Sequence, residues 1–344
     1  METDNKQNDF EIRGLHMTGR ICGTGSCVPV GTMDNNDIAK LVDTNDEWIR
    51  ERTGVVRRHI AKDETTVSMA AEAGRRALED AGMEASEIDL ILVATISSNV
   101  VLPAAACEVQ RILGAEHATC FDLGGAACSG FVLAYNTAMA YMAANVYKTA
   151  LIIGSEALSN ITNWKDRGTC ILFGDGAGAA VLRAEEGKAY LPVTHSDGAK
   201  GSALTCKSRY QGNGVTKPIG IEEMADDEYF MQMNGREVFQ FAVKRVPEVI
   251  GEVLEANGLT KEDIDLYIVH QANQRIIEAV AKRLGEPVSK FPMNMQEYGN
   301  TSSASIPILL DELSRGGKLH AGQRILLAGF GAGLTWGATV LDWR

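Results

Sequence analysis

From Val67 to Ala81 apolar residues recur every three or four positions, the spacing of a helix with one buried stripe, and Gly82 stands where such a helix closes. A polar turn follows, and Asp89 to Ile96 then reads as a strand too apolar to have a wet face. The same scheme returns 176 residues later. Leu254-Glu255-Ala256-Asn257-Gly258 leads into Asp263-Ile264-Asp265-Leu266-Tyr267-Ile268-Val269-His270, as Leu78-Glu79-Asp80-Ala81-Gly82 leads into Glu87-Ile88-Asp89-Leu90-Ile91-Leu92-Val93-Ala94. Seven of eighteen aligned positions from Ala77 to Ala94 are identical, where about one is expected by chance. Two related α/β halves with a site between them are the expectation. The first repeat ends in Ala94 and the second in His270, and that asymmetry marks His270 for chemistry.

The remaining pattern fills in both halves. Pro103 to Leu113 predicts a short helix, and Phe121-Asp122-Leu123 the end of a strand. Cys128 to Ala144 runs without a charge, which predicts a helix buried on every side. Ala150–Gly154 and Gly176–Leu182 predict further buried strands. Residues Glu186 to about Asp227 are polar and glycine-rich and read as a joint with surface excursions. Beyond it come a helix over 238–257, a strand over 264–269, helices over 273–285 and 302–313, and strands over 325–328 and 337–342. The class is α/β, with five layers if both sheets cover a central helix pair. Residues 1–16 are unpatterned and read as a disordered extension ahead of a start at Met17, leaving halves at 17–185 and 186–344.

Composition narrows the function. A chain of 344 residues with 45% hydrophobic and 23% charged residues fits a globular protein of about two domains. No apolar run reaches the roughly 20 residues of a membrane span, so no membrane partner is expected. Seven scattered cysteines without a C-x-x-C pair argue against a disulfide framework or a metal site and for a reducing cytoplasm. A net charge of −12 argues against nucleic acid.

Three residues carry candidate chemistry. Cys128 stands at or just before an uncharged helix, where the dipole would lower a thiol pKa and free amides could hold an oxyanion; it reads equally well as a small core residue. His270, in His-Gln-Ala-Asn, stands at a strand end, where α/β sheets place ligands, although lone histidines are more often structural. Asn300, in Gly-Asn-Thr-Ser, reads as an N-cap or as an amide donor beside His270. The glycine loop Phe330–Gly337 precedes a strand, so it is not a dinucleotide fingerprint, and no P-loop, G-x-S-x-G or H-E-x-x-H occurs.

From about Gly19 to Arg344 the chain resembles the β-ketoacyl-acyl-carrier-protein synthase III family of the thiolase fold. The matching segments are Asp43–Ile49 with Arg52-Thr53-Gly54, Ala126–Phe131, Asp166–Thr169, Phe173–Ala179, His270–Asn273, Gly299–Ser302 and the terminal Gly-Leu-Thr-Trp-Gly. The resemblance implies a duplicated thiolase-like fold layered α-β-α-β-α and a Cys128–His270–Asn300 triad. The asparagine separates this branch from relatives with two histidines or a glutamate base.

The implied reaction loads a short acyl group from acyl-CoA onto Cys128. Decarboxylative condensation with malonyl-acyl carrier protein then gives 3-oxoacyl-carrier protein and starts a fatty acid. The backbone of Cys128 and Ala332 would hold the oxyanion. Trp48 and Arg167 would sandwich the adenine of CoA, with Thr44, Arg52, Gly168 and Asn273 along the same tunnel. The carrier would meet residues 271–275 (Gln271, Ala272, Asn273, Gln274, Arg275) with Lys282 and Arg283, and Lys244-Arg245 could add to that patch. A homodimer is implied, with Leu102 gating the partner's acyl pocket where many members carry phenylalanine, which puts acetyl specificity in doubt. No cofactor or metal is implied.

Besides Leu102, three further departures from the family pattern stand out: an extra glycine in Gly124-Gly125, which would loosen the approach to the nucleophile, Ala332 for a glycine, and Gln240 for a lysine sometimes met by the carrier. The alternatives are a type III ketosynthase or acyltransferase of secondary metabolism with another acyl acceptor, and a non-catalytic scaffold, against which the intact triad argues.

Overall fold

The protein is described here by a computed structural model covering residues 17–207 and 229–344. The extension expected over 1–16 and most of the second part of the joint lie outside the described residues. The chain opens with β1 (Met17–Cys27), β2 (Thr32–Asp34), α1 (Asn35–Ala39), α2 (Asp46–Thr53) and β3 (Arg57–His59). It continues with α3 (Thr66–Ala81), β4 (Leu90–Thr95), α4 (Ala105–Leu113), β5 (Thr119–Gly124), α5 (Gly130–Ala143), β6 (Thr149–Glu156), α6 (Arg167–Cys170) and β7 (Gly176–Glu186). Then come β8 (Val193–Ser196), β9 (Leu204–Thr205), β10 (Gln232–Met233), α7 (Gly235–Ala256) and β11 (Leu266–Val269). The last elements are α8 (Gln274–Leu284), α9 (Met295–Tyr298), α10 (Ser305–Arg315), β12 (Arg324–Gly331) and β13 (Thr335–Asp342).

Two sheets carry the fold, ordered β1-β7-β6-β4-β5 and β11-β12-β13-β8. In each, a parallel pair (β4 with β6, β11 with β12) passes to an antiparallel neighbour (β7, β13). Helices α3 and α4 cover the outer face of the first sheet with Val67, Met69, Ala73, Leu78 and Val109. Helices α7 and α8 cover the second with Val246, Ile250, Val253, Ile277 and Val280. Between the sheets lie α5 and α10, whose Phe131, Tyr135, Ile306, Leu309 and Leu310 share one core with Leu92, Ile152, Ile268 and Leu327. The layering is α-β-α-β-α, and the repeated units are α3–β4 and α7–β11.

Helix ends follow the sequence signals. Thr65 and Ser68 form a capping box at the start of α3, and Gly82, at φ 61, closes it. The central layer is set by close approach: a Cβ on Gly154 would lie 2.2 Å from the Ser303 carbonyl, and one on Gly178 2.5 Å from the Ile308 amide.

Cys128 stands just before α5, as expected, in a 3-10 turn over Ala127–Ser129. The structure corrects one expectation: α5 is not buried all round. Leu133, Asn136, Thr137, Ala140 and Tyr141 line a groove of about 600 Å³ whose wall is completed by Pro192 and by Thr194 of β8.

Candidate active site

The nucleophile turn comes first. After β5, Gly125 (φ 77) and Ala127 (φ 43) reverse the chain into Cys128. An alanine in the left-handed region costs about 1–3 kcal/mol and persists only where its surroundings hold it. Gly124 and Gly125 are exposed, and a Cβ on either would meet nothing within 4 Å, so the extra glycine lengthens a surface turn rather than the approach to the sulfur. Cys128 is buried, and the depressed thiol pKa expected from the helix dipole is not found. Burial pushes it up to about 12, with the nearby Glu156 carboxyl adding to the rise.

His270 directly follows β11, its amide donating to the Ala328 carbonyl at 2.9 Å. Its ring packs edge-on against Phe330 at 5.2 Å, and Nδ1 lies 2.7 Å from Ser305 Oγ. The imidazole is 1% exposed, and burial lowers its pKa to about 3, so it is neutral near pH 7. Asn300 is anchored through a bridge to Phe173, its amide donating to Leu172 O at 2.8 Å. The Ser302 amide donates to Asn300 Oδ1 at 2.8 Å, which leaves the Nδ2 hydrogens as the free end of the carboxamide. Ser302 itself sits at φ 49, so both turns facing the site carry left-handed, non-glycine backbone.

Cys128, His270 and Asn300 line one cavity of about 690 Å³. Thus a thiol and two neutral hydrogen-bond donors, drawn from elements on opposite sides of the central layer, face a common space. Nucleophilic attack at one point and stabilisation of a negative oxygen at another are the chemistry it permits. Of the glycine loop, Gly331 rather than Ala332 lines the cavity: a Cβ there would lie 2.8 Å from the Cys128 amide. Ala332 has no positive φ, and its carbonyl accepts from Thr335 Oγ1 at 3.0 Å.

Farther out the walls include Trp48, Arg52, Gly168, Asn273 and Arg275. Arg167 lies over the Trp48 ring at 4.9 Å and Arg52 at 5.7 Å. The Arg167–Trp48 contact is closed, so the slot expected for adenine between them is not open. Thr44 is not on the cavity wall; its Oγ1 is buried without a partner. Asn273 caps α8 and donates to Arg52 O at 2.9 Å, tying two wall elements together.

The expected docking set divides. Arg275, Lys282 and Arg283 are exposed on α8 and make no ion pair among the described residues. Gln271 is 1% exposed and does not belong to that surface. Its Nε2 donates to Val269 O (2.7 Å) and Pro292 O (3.4 Å), and its Oε1 accepts from the Asn294 amide. Ala272 is buried in the cavity wall, and half-buried Gln274 bonds Glu278 at 2.8 Å. Gln240 is exposed at the cavity rim. Leu102 is 86% exposed and does not line this chain's own cavity.

Sequence reasoning missed Ser305, Phe330 and Glu156. The carboxyl of Glu156 is wholly buried and accepts from Ser97 Oγ (2.5 Å), the Ile96 amide (3.1 Å) and Ser303 Oγ (2.9 Å). Burial raises its pKa. A lone acid ending the apolar run of β6 was the available signal. Ser305 lies among three other Ser and Thr residues near Asn300, where nothing singles it out.

Comparison with known proteins then decides the family. Residues 121–198 match the family model for 3-oxoacyl-(acyl-carrier-protein) synthase III, and 254–343 match the model for its C-terminal part. The β-ketoacyl-(acyl-carrier-protein) synthase III of Clostridium acetobutylicum is 48% identical over 94% of this chain and 98% of its own. The chain belongs to the β-ketoacyl-acyl-carrier-protein synthase III family. The solved synthase III of Aquifex aeolicus VF5 is 41% identical, with a TM-score of 0.87 over 94% of this chain and all of that one. The priming β-ketosynthase of the R1128 polyketide pathway is 35% identical, with a TM-score of 0.87 over 95% of this chain and 96% of that one. The first synthase III model spans Cys128, and the C-terminal one spans His270, Asn300 and Gly331.

Proposed function

We propose that this synthase III catalyses the condensation that starts fatty-acid synthesis, joining an acyl group from acyl-CoA to malonyl-acyl carrier protein. The observation that carries the reading is the shared cavity of Cys128, His270 and Asn300. Cys128 Sγ attacks the acyl thioester, the carbon–sulfur bond to CoA breaks, and the thiol proton leaves with the CoA sulfur. The oxyanion lies at the backbone of the Cys128 turn and the Gly331–Ala332 loop. The malonyl thioester oxygen then lies between the His270 ring and the Asn300 amide. Carbon dioxide leaves, the enolate is held by the two donors, and its carbon displaces Cys128 from the acyl group. Each donor contributes about 2.7–4 kcal/mol at the barrier.

Trp48 and Arg52 on the cavity wall, with Arg167 over the Trp48 ring, support a CoA-binding role, with Arg167 moving off the indole to admit the base. Arg275, Lys282 and Arg283 form a cationic face on a chain of net charge −12, which suits an acidic carrier. We assign a homodimer on three observations: β5 is a sheet edge, Asn136 has an unpaired buried carboxamide in the α5 groove, and Val101 and Leu102 project apolar side chains outward. In that dimer Leu102 gates the partner's acyl pocket. The division at 17–185 and 186–344 belongs to the same reading, with the thiol in one half and its two donors in the other.

The 35% identical priming β-ketosynthase favours a second reading, in which the primer enters a secondary pathway. One experiment tests both. The enzyme is incubated with an acyl-CoA panel and scored by mass for acyl-Cys128, then given malonyl-carrier protein. An acyl adduct followed by carbon dioxide and 3-oxoacyl-carrier protein is expected. An adduct that transfers only to another acceptor selects the second reading, and absence of any adduct overturns both.

A further inference from the structure

His270 needs a specific tautomer to act as a donor, and the sequence motif does not supply one. The ring nitrogen Nδ1 lies 2.7 Å from Ser305 Oγ, and both residues are enclosed, at 1% and 2% exposure. The Gln271 amide also donates to the same Oγ, at 3.3 Å. A hydroxyl has one proton to give and two lone pairs to receive with. Were Nδ1 protonated, Oγ would receive from both Nδ1 and the Gln271 amide, and its own proton would have no described acceptor. With Oγ–H given to Nδ1, every group is matched. The proton of the neutral ring then resides on Nε2, the nitrogen left to face the cavity.

We infer that Ser305 is a positioning residue that donates to His270 Nδ1, fixes the Nε2–H tautomer and so makes His270 a standing donor to the malonyl thioester oxygen. The inference rests on the function proposed above and deepens it by assigning what orients its second donor. Ser305 touches neither substrate nor Cys128 in this role. It sits in the first turn of α10, a helix of the central layer, so the orientation is set by the scaffold rather than by a loop. Phe330, packed edge-on against the ring, restricts its rotation.

The test is nitrogen-15 NMR of His270 in the unmodified protein, joined to the two half-reactions of Ser305→Ala and Ser305→Thr. The expected spectrum has Nε2 protonated and Nδ1 bare. Ser305→Ala should load acyl-Cys128 within about 3-fold of the parent rate while malonyl decarboxylation falls about 10- to 100-fold. Ser305→Thr, which keeps the hydroxyl, should restore most of the loss. A parent spectrum with Nδ1 protonated overturns the inference whether or not the variants fold. So does an alanine variant that slows both steps equally, or one that leaves decarboxylation unchanged. Failure of the parent itself to form acyl-Cys128 would instead overturn the proposed function, which keeps the two failures apart.

Discussion

Strands β4 and β11 occupy matching places in the repeat, yet their C-terminal ends do opposite work. Strand β4 is flanked by β5 and β6, and its end is consumed by anchoring: Ala94 O accepts from Ser303 Oγ at 2.8 Å, while Thr95 and Ile96 bond the Glu156 carboxyl. Strand β11 is an edge among the described residues, with β12 alone beside it. Where the first sheet continues into β5, the second has no described strand, and the Gln271 side chain just past β11 holds Pro292 and Asn294 instead. The end of β11 is thereby free to carry His270 into the cavity. The repeat supplies two equivalent strand ends; one is taken up in bracing and the other opens on the cavity.

The largest blow to this comparison is struck at the nucleophile. Cys128→Ala should abolish acyl labelling and lower condensation about 10⁵-fold, measured by product formation. Labelling of Cys128 by iodoacetamide in the unmodified protein should keep rising with pH beyond 10, as a pKa of about 12 requires. A plateau near pH 7 would restore the depressed thiol first expected.

Stability against acid tests the β11 end. An unfolded histidine takes its proton below about 6.5, whereas buried His270 refuses it until about 3. That contribution is present above pH 6.5 and is lost as pH falls toward 3. Denaturant titrations of His270→Gln and the parent should therefore converge or cross over that window, the parent losing about 5 kcal/mol more. Next in size, Asn300→Ala should cost about 10²–10³-fold in malonyl decarboxylation and little in acyl loading. Gln271→Ala, which removes the strap in place of a fifth strand, should lower unfolding free energy by about 1–3 kcal/mol. Smallest, Arg275→Glu should raise the KM for carrier protein about 5- to 10-fold at low salt, an effect that shrinks as salt is added.

Periodicity made the repeated helices and strands legible because those elements bury one stripe or both faces. It did not reveal β1, whose Gly19, Gly23 and Gly25 break any alternation. They are there for contact: a Cβ on Gly23 or Gly25 would lie 2.3 Å from a carbonyl of α3, at Ala77 and Ala73 respectively. At the site, Cys128, His270 and Asn300 were readable from strand and helix ends together with family motifs. The thiol pKa was not, since the helix dipole is visible in sequence and the depth of burial is not. Gln271 was misplaced for the same reason: a glutamine beside a motif looks like surface until its three backbone partners are seen.

The glycine contacts of the central layer set the margin for change in this molecule. With Gly154 against the Ser303 carbonyl and Gly178 against the Ile308 amide, the seam joining the two sheets through α10 has no room for even one added methyl. Sliding along that seam is blocked in the same way. Changes in what the enzyme accepts are therefore expected at the rim and its outward loops, where a side chain can be exchanged without shifting the sulfur, imidazole and carboxamide against one another.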